Sequence, residues 1–109
     1  MQINVGDEPQ KGGCAFDAAP AILQQIAAEP SLRLRGLMAV PPASDDPEAS
    51  RPYFRRLRTV RDEWAREIPA LANADLSIGM SHDFEVAVEE GATLVRVGTA
   101  LFGPRIDPR

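Results

Sequence analysis

The chain has 109 residues, which is room for one small domain and not for two independent cores. It is 44% hydrophobic and 26% charged with a formal charge of -4, an ordinary globular balance that offers no general attraction to nucleic acid or anionic membranes, so an anionic ligand needs a local site. No run approaches the roughly 20 apolar residues of a membrane helix, the first residues lack a signal core, and a single Cys14 with a single His82 is too little for zinc. The expected compartment is the cytoplasm, with no metal and no partner of nucleic acid or membrane type.

Gln2 to Val5 reads as a strand, followed by a polar, glycine-bearing loop from Gly6 to Cys14. Asp17 is placed to cap a helix in which Ile22, Leu23, Ile26 and Ala27 share one face until Pro30 ends it. A second strand is expected over Leu32 to Val40, then a flexible loop through Pro41, Pro42, Ser44, Asp45, Asp46 and Pro47. Phe54, Leu57, Val60, Trp64 and Ile68 recur every three or four residues, which predicts an amphipathic helix over Pro52 to Ile68 with arginines on its other faces. Asp75 to Met80 is a third strand. Ser81 to Glu90 reads as a helix with Phe84, Ala87 and Val88 apolar and Gly91 at its C-terminal cap, and Thr93 to Gly98 is the fourth strand.

The order is βαβαβαβ, which argues for an α/β fold, one domain over 1-109, with a parallel sheet and right-handed crossovers. Spacings of 31, 44 and 17 residues between Ile3, Leu34, Ile78 and Val95 each leave room for a crossover. A complete (β/α)8 barrel takes about 250 residues, so four units of about 125 make this chain the size of half a barrel.

Two segments carry chemistry. Ser77-Ile78-Gly79-Met80-Ser81 leads into a helix, and Val95-Arg96-Val97-Gly98-Thr99 ends the last strand. Unpaired N-H groups at a helix start, a hydroxyl on Ser81 and close backbone approach at Gly98 make a phosphate cup, in the place where barrels bind phosphate after strands seven and eight. Spacing alone favours Ser81 as a helix cap and Gly98-Thr99 as a turn, because caps are far commoner than phosphate sites, and it equally allows Arg96 as half of a salt bridge at the barrel rim.

The blocks Gln2-Ile3-Asn4-Val5, Glu8 with Lys11-Gly12-Gly13, Leu34-Arg35-Gly36-Leu37-Met38, Leu76 to Ser81 with Asp83-Phe84-Glu85, and Gly91 to Gly103 run nearly end to end. Together they resemble the C-terminal half of the pyridoxal phosphate homeostasis family, the YggS-type proteins whose barrel is similar to the alanine racemase N-terminal domain. The resemblance implies strands five to eight of that barrel and pyridoxal 5'-phosphate (PLP) as cofactor. It implies that Ser81, Gly98 and Thr99 hold the phosphate and that Arg96 faces the pyridine nitrogen. A guanidinium only donates, so a ring nitrogen beside it stays unprotonated and the ring is a poorer electron sink, which suits holding the cofactor better than transamination.

The family's Schiff-base lysine belongs to the first barrel strand, in a half this chain is expected to lack. Lys11 matches the E-x-x-K-x-G segment instead and reads as an exposed loop residue. His82 reads as a surface residue, Arg51, Arg55, Arg56, Arg58 and Arg61 as a solvated helix face diluted by Asp62, Glu63 and Glu67, and Cys14 as unreactive. No catalytic residue is assigned. The leading expectation is PLP binding in vitamin B6 homeostasis without substrate turnover, the alternative an amino-acid racemase fragment, and a third a fragment that binds nothing. Half a barrel leaves open edges at Gln2 to Val5 and Thr93 to Gly98. A homodimer or an N-terminal half-barrel is expected to cover them, unless the chain is an incomplete reading frame.

Overall fold

A computed structural model describes residues 1–104, so the last five residues of the 1-109 domain expectation lie outside the described residues. Its sheet has three parallel strands in the order of the chain: β1 (Gly36–Met38), β2 (Asp75–Met80) and β3 (Leu94–Arg96). Around them lie α1 (Ala19–Ala28), α2 (Arg51–Trp64), α3 (Phe84–Glu89) and α4 (Thr99–Phe102), with short 3-10 turns at Pro47–Ser50 and Pro69–Leu71. The α/β reading with parallel strands stands. The expected count of four full strands does not.

The first segment is the one that falls short. Residues Gln2 and Ile3 make only isolated parallel bridges, Gln2 to Met38 and Ile3 to Cys14. Its amides and carbonyls are shared between two neighbours, Ile3 N donating to Met38 O (2.8 Å) and Asn4 N to Cys14 O (2.9 Å), so no continuous ladder forms on either side. The segment still lies beside β1, which keeps the spatial order of four chain segments equal to their sequence order. The second and fourth strands are also shorter than Leu32 to Val40 and Thr93 to Gly98.

Strand alternation decides where the core sits. Leu37, Leu76 and Ile78 are 2%, 0% and 0% exposed, whereas Met38 and Ser77 between them are only partly covered. The buried side faces the helices: Leu23 from α1, Phe54 and Leu57 from α2, and Val86 and Ala87 from α3 complete one cluster with Ile3. Helices therefore cover one face of this sheet, although parallel sheets ordinarily bury both. At Gly36 a Cβ would run into the Asp75 backbone, so β1 and β2 approach as closely as they do because that position has no side chain.

The helices obey the sequence periodicity with local corrections. Pro20 stands in the first turn of α1, but the N-cap position is Ala18 and Asp17 makes no cap. α2 ends at Trp64, and Ile68 reaches the core from the following turn. α3 begins at Phe84 rather than Ser81, and it buries Val86 (6%) while Val88 is 57% exposed. Gly91 follows the C-cap at φ 103°, the left-handed conformation expected of it. The loop after Pro41, expected to be flexible, contains an ordered turn at Pro47–Ser50 in which Asp46 Oδ1 accepts from Glu48 N at 3.0 Å.

The arginine face of α2 is bonded rather than merely solvated. Arg51 Nη1 and Arg55 Nη2 donate to Glu90 Oε2 at 2.7 and 3.1 Å, while Arg51 also holds Glu48 and Glu89. Arg61 donates to Ala74 O, and Arg56 lies 3.8 Å over the Phe16 ring. These contacts join α2 to α3, the Ala74 loop and the Phe16 segment.

Candidate cofactor site

The carboxyl ends of β2 and β3 meet at one place. Ser81 follows β2 directly, and Gly98-Thr99 follows β3 after Val97. Ser81 Oγ accepts a hydrogen bond from Ala100 N at 3.0 Å, which ties the two segments together and leaves the hydroxyl proton free to donate. A cavity of about 630 Å³ opens here, with Ser81, His82, Gly98 and Thr99 on its polar side and Met80 and Phe102 on its apolar side.

Three of the four expected site residues are thus brought together. The local backbone differs from the expectation, because two residues, His82 and Asp83, separate Ser81 from the start of α3 at Phe84, so Ser81 is a turn residue and not a helix cap. α3 has six residues and α4 four, too short for a macrodipole of any weight. Gly98 adopts φ -103°, open to any residue, and no atom lies within 4 Å of where its Cβ would be. Its contribution is space for a ligand rather than a special backbone angle.

Arg96 ends β3 and lies apart from that cavity wall. Its Nη2 donates to Ala39 O at 3.2 Å, beyond the end of β1, so it reaches back across the sheet. Its Nε is buried and has no hydrogen-bond partner among the described residues. A buried guanidinium donor without an acceptor is costly.

Two further groups shape this end of the sheet, and sequence reasoning gave neither a role. Asp83 is 3% exposed; its Oδ1 accepts from Met80 N (2.8 Å) and its Oδ2 from Ser50 Oγ (2.7 Å). It thereby anchors the turn that presents Ser81 to the start of α2. Lys11, expected to be exposed, is three-quarters covered: Nζ lies 3.0 Å from Glu8 Oε1 and donates to Val40 O and Pro41 O at 3.3 and 2.8 Å. Burial pushes the Cys14 thiol above its ordinary range, away from thiolate chemistry.

Residues 1–106 match the family model described as alanine racemase, N-terminal domain. The chain belongs to that family. Among curated relatives, the pyridoxal phosphate homeostasis protein of Aquifex aeolicus is 50% identical over 96% of this chain and 46% of its own length, and that of Pseudomonas aeruginosa is 45% identical over 96% and 44%. Among solved structures, PipY of Synechococcus elongatus without PLP superposes with a TM-score of 0.84 at 36% identity, covering 94% of this chain and 48% of that one. PipY with PLP bound gives 0.74 at 33% identity, covering 94% and 49%. The chain spans about half the length of the curated relatives it matches. The resemblance to the pyridoxal phosphate homeostasis proteins is therefore confirmed over most of the chain. Among the described residues no helix is long and apolar enough to cross a membrane, and no three His, Cys, Asp or Glu side chains cluster to hold a metal.

Proposed function

We propose that this chain holds PLP between Ser81, Gly98, Thr99 and Arg96, as part of vitamin B6 homeostasis in the cytoplasm and without turning over a substrate. The observation that carries the reading is the Ser81 Oγ to Ala100 N bond, which gathers the hydroxyls and the open Gly98 position around one cavity. The residues fit the cofactor in kind. Two hydroxyls and an uncrowded backbone suit a phosphate, and the donor-only guanidinium of Arg96, with an unsatisfied Nε, suits a neutral ring nitrogen once the side chain turns toward it. When bound, PLP supplies an aldehyde and an electron-withdrawing pyridine ring. Arg96, already anchored on Ala39 O, keeps a donor and not an acceptor toward that ring, which leaves the ring nitrogen without a proton. Among the described residues no observation favours the racemase reading.

The double variant Ser81→Ala with Thr99→Ala tests this by isothermal titration with PLP. Each lost charge-assisted hydrogen bond weakens binding by about 1.5 to 3 kcal/mol; an affinity equal to wild type overturns the assignment.

In the same reading the bridged Gln2-Ile3 segment and the three strands correspond to strands five to eight of a (β/α)8 barrel, and a further β/α half covers the uncovered sheet face and the β3 edge. The relatives' doubled length and the exposure of Leu94 and Val95, 54% and 39%, support it. Native mass spectrometry with PLP, before and after borohydride reduction, separates the sources of that half. A doubled mass indicates a second copy, and a monomer that gains cofactor only with an added N-terminal half indicates the other. Cofactor fixed by reduction on the isolated chain contradicts a purely non-covalent cup.

A further inference from the structure

Resting on the PLP reading, the charge balance of the cup points to a role for His82. Among the described residues, His82 is the one titratable side chain on the wall of the cavity shared by Ser81, Gly98 and Thr99. The two hydroxyls are neutral, and Arg96 is not part of that wall, so nothing described there carries a permanent positive charge to set against a phosphate dianion. The imidazole is about half exposed, 48%, and its Nε2 lies 3.4 Å from Asp83 Oδ2. On another side it borders a recess with Ala43, Ser44 and Asp45.

The charged groups around it are therefore Asp83 on its own turn and Asp45 on the loop after Pro41, while β3 and α4 bring none from the cavity side among the described residues. Glu85, in the first turn of α3, borders a different recess beside Glu48 and Glu89. With a neutral imidazole, an anion entering the cup meets two carboxylates nearby and no cation. With an imidazolium, a positive charge stands between Asp83 and the anion and attracts both. Asp83 does not move to accommodate it, being held by Ser50 and the Met80 amide.

We propose that protonated His82 is the cation that the described residues bring to this anion site, so that retention of a phosphate- or sulfate-bearing ligand tightens as the pH falls through the imidazole range. Imidazole is the side chain that changes charge between about pH 5 and 8. The residue thus makes release of the ligand pH-dependent in this chain, through a side chain the phosphate contacts themselves do not need.

Sulfate is the probe, because a phosphate monoester takes up its own second proton at about pH 6 and would blur the reading. Sulfate titrations followed by the Thr99 and Ser81 amide chemical shifts at three pH values across the imidazole range give the affinity directly. Wild type binds about three- to five-fold tighter at the acid end than at the alkaline end, the size of a half-exposed charge contact. His82→Asn binds with no such slope, and His82→Lys binds tightly throughout. A slope in His82→Asn equal to that of wild type overturns the role of His82 and leaves the cup standing. Failure of wild type to bind sulfate at any pH and PLP alike overturns the cup and the inference together.

Discussion

The two sides of the sheet are built differently. Over β1 and β2, three helices bury Leu23, Phe54, Leu57, Leu76 and Ile78 to 0% exposure, and a charged clamp of Arg51 and Arg55 on Glu90 closes the rim. Beside β3, the neighbouring α4 buries nothing, and Leu101 and Phe102 are 71% and 86% exposed. The difference separates two regions: the buried core lies under the helices, and the cavity lined by Ser81, Gly98 and Thr99 opens on the lightly covered side.

Substitutions at matched aromatic positions break that contrast most sharply. Phe54→Ala removes a fully buried ring and is expected to cost about 3 to 5 kcal/mol in urea unfolding; a loss under about 1 kcal/mol denies that the core is centred there. The clamp gives a smaller and pH-coded effect. Arg55 and then Arg51 hold the Glu90 carboxyl down at about 2, against an unfolded glutamate near about 4.3. A lowered folded value means that the stabilisation is complete above the unfolded pKa and drains away as the pH falls from about 4.5 toward 2. Glu90→Gln should lower stability at neutral pH by about 1 to 2 kcal/mol, since much of the clamp is solvent-screened, and should flatten the acid limb of stability against pH. An unchanged acid limb would show that the pair is electrostatically idle. Phe102→Asn should shift the unfolding midpoint by no more than about 0.5 kcal/mol, as befits a ring with no buried neighbour to lose.

Much of this organisation is written locally. The three-and-four spacing of Phe54, Leu57 and Val60 places the start of α2 one residue late and its end past Trp64 at Ile68, and the blocks around Leu76 to Ser81 and Gly91 to Gly103 carry the family resemblance on which the site residues rest. What escapes is decided by distant bonds. Gln2 to Val5 has strand composition, yet its ladder is divided between Met38 and Cys14, a competition no short window displays. Lys11 looks like a loop lysine until the Val40 and Pro41 carbonyls are brought to it from 29 and 30 residues away. Asp83 stands in the sequence beside a His82 that reads as a surface residue, and its burial among distant partners, with Ser50 33 residues earlier, has no local sign. The α4 turn is missed because four residues hold too little periodicity to register.

The carbonyls of Ala39, Val40 and Pro41 are consecutive, and all three accept from side chains of other elements, Arg96 for the first and Lys11 for the next two. The chain is thus pinned before it enters the Pro42 to Asp46 stretch and again at Asp46, where the Pro47–Ser50 turn begins. Between those two pins the stretch borders the rest of the fold at Gly6, beside Pro42, and at His82, beside Ala43, Ser44 and Asp45. Added length in that stretch is therefore taken up at the recess beside His82 rather than in the strands, which makes the loop a lever on the cavity wall and not on the core.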